Sequence, residues 1–185
     1  MEHLIRRVRA DEWQQVRDLR LAALLDPMAS IAFHDTYELA AARPDSMWQE
    51  RAAGAASGEQ VAQFVAEAPD GSWDGTVTAL IERPGEATGF ASQPVVDQAH
   101  AVGVFVRSTA RGSGLAEELF RAVVEWSWEV REPRPVERVR LFVHESNVRA
   151  EGLYRKCGFE RTGTTVPAEG DPSTVEIEMA VQRPR

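Results

Sequence analysis

The stretch VFVRSTARGSGLA, residues 104–116, decides the fold of this chain. A short apolar run comes first, and a turn rich in small residues follows it. After the turn, Leu115, Leu119, Ala122 and Trp126 recur at the spacing that places residues on one face of a helix. The pattern therefore predicts a strand that ends at Val106, a tight glycine turn and an amphipathic helix.

A strand that enters a helix through glycines can bind an anion. The first N–H groups of a helix have no partner within it, and the helix dipole adds partial positive charge there. Gly112 and Gly114 have no side chain to keep a phosphate from the backbone, while Arg111 and Ser113 add a charge and a hydroxyl. The alternative is a turn that needs glycine for its shape and binds nothing.

Two common phosphate-binding loops do not match this turn. A nucleotide-binding P-loop requires Gly-Lys followed by Ser or Thr, and the turn contains no lysine. A dinucleotide-binding fingerprint requires three spaced glycines within a strand–helix–strand unit. The pattern here is instead RxxGxA, residues 111–116.

A second informative segment is NVRAEGLYRKCGF, residues 147–159. Asn147 can cap a helix on which Tyr154 and Cys157 share a face, and Gly158 suits the left-handed residue that ends it. A tyrosine on the inner face of a short helix usually fills the core and forms a hydrogen bond through its hydroxyl. The residues alone therefore predict a short capped helix with an inward tyrosine.

Apolar periodicity and turn residues predict the other elements. Capping-box spacing at Asp11/Gln14 and Ser46/Gln49 predicts two helices, the first stopped by Pro27 and the second covering Ser46 to Ala55. The stretch Ala87–Gln98 has no period and is predicted as a loop. Strands are predicted at Leu4–Val8, Val61–Glu67, Trp73–Glu82, Ala99–Val106, Val139–His144, Glu160–Gly163 and Val175–Val181.

The connection between the first two helices, Met28 to Glu38, contains clustered polar and aromatic residues. These residues are candidates for a substrate-binding wall, and an ordinary helix–helix loop is the alternative. The candidates are Phe33, His34, Asp35 and Thr36.

Composition restricts the class of protein. The 185 residues predict a single domain, 1–185, and the net charge of −8 argues against nucleic acid or an anionic membrane as a partner. The single cysteine, Cys157, excludes an internal disulfide and fits a reducing compartment. Because no apolar N-terminal stretch resembles a signal peptide, a cytoplasmic location is expected. No metal site is expected, and homodimer formation is left open.

The turn RxxGxA (111–116) and the segment NxxAxxLYxxxGF (147–159) resemble the two principal motifs of the GNAT superfamily of N-acetyltransferases. The order of predicted elements is similar to that family from Leu4 to Val181. The resemblance implies an α/β fold, the GNAT fold: a mixed, largely antiparallel twisted sheet with helices on both faces. It also implies that acetyl-CoA is the co-substrate and binds where the central strand and the next one splay apart.

The resemblance further implies a role for each motif residue. Asn147 would hold the pantetheine arm, and Tyr154 would protonate the departing thiolate. Backbone N–H groups of the central strand would polarise the carbonyl. The other cofactor-binding residues act through their backbone: Val104, Phe105 and Val106 on the pantetheine, and Arg111, Gly112, Ser113, Gly114, Leu115 and Ala116 on the pyrophosphate.

The general base departs from the family pattern. Many members use a Glu on the central strand, whereas this chain has His100 there. Period-two alternation predicts that His100 shares a face with Val102, Val104 and Val106 and so points toward the cleft. The alternative is a histidine that faces solvent at the start of the strand. Relay of the proton through water to Asp35, His34 or Glu82 also stays open.

The implied reaction is direct attack of a neutral amine on the thioester of acetyl-CoA. The expected acceptor is a small-molecule amine or an amino-acid-like compound. Two alternatives remain: a protein N-terminal or lysine acetyltransferase, and a non-catalytic acyl-CoA-binding module. Asn147 and Tyr154, both intact, favour an enzyme.

Overall fold

Seven strands and six helices account for most of residues 2–90 and 92–185, which the computed structural model describes. The strands are β1 (Leu4–Arg7), β2 (Val61–Glu67), β3 (Trp73–Glu82), β4 (Gln98–Val106), β5 (Arg138–His144), β6 (Glu160–Ala168) and β7 (Asp171–Gln182). The helices are α1 (Trp13–Leu24), α2 (Ala29–Ala32), α3 (Tyr37–Ala41), α4 (Asp45–Ser57), α5 (Leu115–Glu129) and α6 (Val148–Lys156). Ala91, within the loop predicted at Ala87–Gln98, lies outside the described residues.

The strands form one sheet in the order β1-β2-β3-β4-β5-β7-β6. The pairing of β4 with β5 is parallel, and every other described pairing is antiparallel. The prediction of a mixed, largely antiparallel sheet is confirmed. No helix in the described part of the chain is long and apolar enough to cross a membrane.

Two apolar cores lie on opposite faces of the sheet. On one face, Leu119 and Phe120 of α5 and Tyr154 of α6 pack on the inward side chains of β2 to β5. On the other face, Leu19 of α1 and Trp48 of α4 pack with side chains of β2, β3 and β4. The prediction of helices on both faces is confirmed, and the sheet is therefore buried at its centre.

Strand β4 changes the face of its side chains at Gly103. Its pairing with β3 shifts opposite residues 76–78, and Gly103 has a φ of +63°. Before this bulge, His100 lies on the face covered by α1 and α4, since its chain neighbours on either side belong to the α5 core. After it, Val104 and Val106 pack against the α5 core. The prediction that these valines share a face with His100 is wrong, because a bulge interrupts period-two alternation.

Neither predicted capping box forms. The helices expected after Asp11 and Ser46 have Glu12 and Pro44 as N-cap residues, and neither makes a side-chain capping bond. The Glu12 carboxylate instead accepts hydrogen bonds at 2.7 and 2.9 Å from the guanidinium of Arg6 on β1. This ion pair ties the start of α1 to the edge of the sheet.

Two segments are more regular than predicted. The connection Met28–Glu38 contains the short helix α2 and the start of α3. Strand β6 does not end at Gly163, where φ is +92°, but continues beyond this irregularity as the partner of β7. The sequence pattern misses the extension because these residues lie at the exposed end of the hairpin and show no apolar alternation.

Replacement of Gly103 by alanine tests the bulge. A Cβ there has room, because its nearest neighbour would be the Thr78 hydroxyl at 4.0 Å. A left-handed φ is nonetheless unfavourable for alanine, so Gly103→Ala is expected to lower the free energy of unfolding by about 1–2 kcal/mol in urea denaturation. Gly54→Ala, within α4, is the control and is expected to be neutral or stabilising. Wild-type stability of Gly103→Ala would contradict this assignment.

Candidate functional site

The parallel strands β4 and β5 are paired over a short distance. The paired residues are 98–100 of β4 and 138–140 of β5. Beyond His100, no described residue of β4 pairs with β5. The edge of β4 over residues 101–106 that is turned toward β5 therefore faces an opening instead of a neighbouring strand. The unpaired N–H and C=O groups of such an edge can bind another extended chain.

A cavity of about 660 Å³ occupies this opening. Val102, Gly103 and Val104 line it from β4, and residues 141–144 line it from β5. Tyr154 lines it from the α6 side, and residues of α1, α4 and the connection between them line it from the other face. The cavity therefore passes between the strands and joins the two faces of the sheet.

The glycine turn presents free backbone N–H groups at the start of α5. Gly112 and Gly114 have φ values of +81° and +88°, and a Cβ on either would meet no atom within 4 Å. Within the described chain, no acceptor forms a hydrogen bond with the N–H groups of residues 112–117. Consecutive free N–H groups at a helix N-terminus form a cradle that fits a phosphate group.

The side chains of the turn are already engaged. The Arg111 guanidinium donates to the carbonyl of Val106 at 2.9 Å and forms an ion pair with Asp26 at the end of α1. The Ser113 hydroxyl donates to the carbonyl of Ala110 at 2.7 Å. An anion at this turn would therefore be held by backbone N–H groups, while Arg111 fixes the position of the turn.

Tyr154 has an unpaired hydroxyl at the cavity. Its ring lies against Phe120 and Phe159, with ring centroids 5.3 and 6.5 Å away. The residue is 8% exposed, and no described residue forms a hydrogen bond with its hydroxyl. Burial raises the pKa of Tyr154 above its ordinary value, and Cys157 adds to the shift. The phenol is thus protonated at neutral pH and can donate that proton.

Asn147 caps α6, as the sequence predicts, and lines the same cavity. Its side-chain oxygen accepts a hydrogen bond from the N–H of Ala150 at 3.2 Å. This bond orients the amide so that its oxygen is used by the helix. The NH₂ group of the amide is left as the donor that a ligand in the cavity could use.

His100 is buried against the cavity and does not face solvent. It is 2% exposed, and its ring packs on Phe90 and Phe142 with centroid distances of 4.2 and 5.5 Å. Its Nδ1 lies 2.9 Å from Oε1 of Glu82. The alternative of an exposed histidine at the strand start is therefore wrong.

The carboxylate of Glu82 fixes the tautomer of His100. Although burial raises the pKa of Glu82, hydrogen bonds from His100 and Gln98 and the charge of Arg140 outweigh it, and the pKa lies below its ordinary value. An ionised carboxylate only accepts, so Nδ1 carries the hydrogen and Nε2 is the basic nitrogen. Burial lowers the pKa of His100 and outweighs the attraction of Glu82. The ring is therefore neutral at pH 7.

A fully buried guanidinium supports this pair from β5. Arg140 contacts Glu82 on β3 at 2.7 Å and Glu178 on β7 at 3.0 Å. It also donates to the carbonyl of Ser92, in the loop that covers this end of the sheet, at 2.8 Å. Removal of one member of such a buried pair typically costs about 3–5 kcal/mol. The network holds the paired end of the opening rigid.

The connection between α1 and α4 forms one wall of the cavity. Phe33, His34 and Asp35 line the cavity, as proposed from the sequence. Thr36 does not: its hydroxyl accepts the N–H of Leu39 at 3.3 Å and so caps α3. Phe105, whose backbone lies in the open stretch of β4, directs its side chain into the α1–α4 core.

The other candidate bases are engaged in ion pairs. Asp35 accepts two hydrogen bonds from Arg43, at 2.7 and 3.0 Å. His34 contacts Glu176 at 2.8 Å and Glu169 at 2.9 Å. His100 therefore combines a basic nitrogen with a place at the cavity better than either residue does.

Several residues of this site cannot be recognised from the sequence. Arg138 and Arg140 alternate with apolar residues on β5, which is the pattern of a strand with one wet face. The loop before β4 covers this face and keeps it dry. Coverage by a distant loop does not change the alternation of apolar and polar residues along the strand, so the sequence gives no sign of it. Trp48 and Glu176 reach the cavity from elements that are distant in the chain.

Comparison with known proteins agrees with this geometry. A sequence model of the acetyltransferase (GNAT) family matches residues 33–159. A Bacillus subtilis (strain 168) protein, named as a candidate alanine N-acetyltransferase for ribosomal protein bS18, is 34% identical over 85 residues. The match covers 45% of this chain and 54% of that protein, so the chain spans about half the length of this curated relative.

Solved structures share the fold. A GNAT-family acetyltransferase of Streptococcus pneumoniae superposes with a TM-score of 0.75 at 16% identity, covering 98% of this chain and 99% of the other. Spermidine N-acetyltransferase from Vibrio cholerae, solved with CoA and spermine, gives a TM-score of 0.68 at 17% identity, covering 98% and 95%. At these identities the likeness concerns the fold alone.

Proposed function

Because this chain belongs to the acetyltransferase (GNAT) family, we propose that it transfers the acetyl group of acetyl-CoA to the nitrogen of an amine. One observation carries the proposal. A single cavity joins the open edge of β4, the basic nitrogen of His100 and the free hydroxyl of Tyr154. Direct transfer to an amine requires a place for the thioester, a proton acceptor and a proton donor, and these three features supply them.

The residues present fit acetyl-CoA. The free N–H groups of residues 112–117 would hold the pyrophosphate, and the open edge of β4 would pair with the amide groups of the pantetheine. The amide NH₂ of Asn147 would add one hydrogen bond to that arm. Bound acetyl-CoA supplies an activated acetyl group that an amine can attack without a covalent enzyme intermediate.

His100 and Tyr154 move the two protons of the reaction. Nε2 of His100 accepts the proton that the amine nitrogen loses when it forms its bond to the acetyl carbon, directly or through one water. Tyr154 donates its phenolic proton to the sulfur that leaves. The Glu82 carboxylate, held in place by Arg140, stabilises the His100 imidazolium while it holds the proton.

The walls of the cavity support a small acceptor. Helices α1 and α4 close one side, and the contact of His34 with Glu169 and Glu176 joins the connection between them to the β6–β7 hairpin. A protein acceptor requires a groove through which a chain can run, and we expect this contact to obstruct one. Single-domain organisation, a cytoplasmic location and homodimer formation stay predictions.

Stabilisation by acetyl-CoA tests the glycine turn. A ligand that binds only the folded state raises the melting temperature; at 100 times the Kd the free energy of unfolding rises by about 2.7 kcal/mol. Gly114→Asp places a side chain and a negative charge in the cradle and should abolish this shift. Gly71→Asp, at an exposed left-handed glycine in the β2–β3 turn, is the matched control and should keep it. A normal acetyl-CoA shift in folded Gly114→Asp would contradict the assignment.

Release of coenzyme A thiol in the presence of amines tests the enzyme itself. Tyr154→Phe keeps the ring and its packing but removes the proton, so turnover should fall about 10²-fold or more while stabilisation by acetyl-CoA is kept. Tyr37→Phe, at the exposed second tyrosine, is the control and should match wild type. Wild-type turnover in Tyr154→Phe, with chemistry shown to be rate-limiting, would return Tyr154 to a core-filling role.

The pH dependence of kcat/KM tests His100. Because the pKa of His100 is lowered, the rate should rise with pH through an apparent pKa below 6.5 as the ring loses its proton. Deprotonation of the amine gives a second rise at higher pH. Measurements with two acceptors whose amines differ in pKa distinguish the two rises, because only the second rise should shift with the pKa of the amine.

His100→Asn is the matching variant, since its amide can still donate to Glu82 near the position of Nδ1. The His100→Asn substitution should lower kcat/KM and abolish the rise at low pH that comes from deprotonation of His100. The rise at higher pH, which comes from the amine, should remain. An unchanged rate and pH profile in this variant would exclude His100 as the base.

A further inference from the structure

Three arginines line one wall of the cavity, on the face of the sheet that α1 and α4 cover. Arg20 of α1, Arg43 after α3 and Arg51 of α4 all line it, and the only described carboxylate on that wall is Asp35. Asp35 is occupied by Arg43, which binds both of its oxygens at 2.7 and 3.0 Å. The wall therefore holds more guanidinium groups than its own carboxylate can pair.

Arg20 and Arg51 lack a dedicated partner among the described residues. Arg20 reaches Asp35 at 3.5 Å, and its Nε is buried without any hydrogen bond. No described side chain forms a hydrogen bond or an ion pair with Arg51. Desolvation lowers the pKa of Arg51, and the charges of Arg20 and Arg43 lower it further. Three neighbouring guanidinium groups that share one carboxylate thus favour an additional anion between them.

Aromatic rings hold the two guanidinium groups in place. Arg20 lies 4.6 Å above the centroid of the Phe33 ring, and Arg51 lies 5.8 Å from that of Trp48. Stacking of this kind leaves the edge of the guanidinium, which carries its N–H donors, free for a ligand. Both arginines are therefore positioned before a ligand arrives.

The opposite wall does not neutralise this charge. Its one carboxylate, Glu176, is bound by His34 at 2.8 Å. Apart from the histidines, the charged side chains that line the cavity are three arginines and two carboxylates. The other titratable side chains that line the cavity are His100, His144 and Tyr154, and none of them adds a carboxylate to it.

We propose that the acceptor is an amine that also carries a carboxylate, as an amino acid does, and that Arg20 and Arg51 bind this carboxylate. The inference rests on the proposed acetyltransferase function. Both arginines also line a small cavity beside Gly103, where β4 bulges next to the opening. A short molecule can therefore place its carboxylate on the arginines and its amine toward the open edge of β4.

Matched acceptors test the inference. For several side chains, kcat/KM is measured with the amino acid, with its carboxamide and with the amine that lacks the carboxyl group, each corrected for the fraction of neutral amine. Hydrogen bonds to charged groups predict a preference of at least about tenfold for the amino acid. Equal or better use of the carboxamide and the simple amine would overturn the inference.

Arginine variants connect that preference to the wall. Arg20→Gln and Arg51→Gln should each reduce the preference for the carboxylate about tenfold. Arg17→Gln, on the same helix as Arg20 but outside the cavity, should leave it unchanged. A preference that survives in both variants would overturn the inference, and Arg51, with its exposed side chain, serves if Arg20→Gln does not fold.

Two different outcomes distinguish the carboxylate preference from the acetyltransferase function. Acetylation of amines without any preference for a carboxylate would leave the acetyltransferase function standing and remove the inference alone. The absence of thiol release with every acceptor, together with no stabilisation by acetyl-CoA, would remove the proposed function and the inference with it.

Discussion

The buried guanidinium of Arg140 joins three strands at the one place where β4 and β5 are paired. It lies on β5, and its partners Glu82 and Glu178 lie on β3 and β7. Glu82 in turn binds His100 on β4, so the network fixes four neighbouring strands at one end of the sheet. Because this end is fixed, the other end of β4 and β5 can stand open without loss of the sheet's register.

An ion network in this position is costly in free energy. Buried pairs of this kind are often no more stable than apolar residues of the same volume, because the charges must be removed from water. Their geometry nevertheless has a consequence that an apolar cluster lacks. The ionised Glu82 sets the tautomer of His100 and leaves Nε2 basic at the cavity. The same network therefore supports both the shape of the opening and the chemistry proposed for it.

Local sequence signals were sufficient for the parts of the site that depend on backbone conformation. The glycine turn before α5 and the cap and end of α6 follow from residues that are neighbours in the chain. The bulge at Gly103 does not, because a glycine inside an apolar strand pattern gives no sign of whether the strand continues in phase. The shift reverses the faces of Val104 and Val106 relative to His100.

The remaining features of the site depend on contacts between elements that are distant in the chain. Arg140 resembles a residue on a wet face until the loop before β4 covers it, and Arg20 and Arg51 resemble ordinary surface arginines of amphipathic helices. Arg140 is distinguished by its partners on distant strands, whereas Arg20 and Arg51 are distinguished by the lack of a dedicated partner. A single sequence does not encode that information in any local period.

Hydrogen exchange, measured with and without coenzyme A, tests whether acetyl-CoA lies along the open edge of β4 with its pyrophosphate at the glycine turn. We expect fast exchange in the free protein, and slower exchange with coenzyme A, for the amides of residues 112–117 and for those of residues 101–106 that do not pair with β3. Exchange in β1 and β2 should not change. Unchanged exchange at the turn, with protection appearing at another surface, would contradict the account.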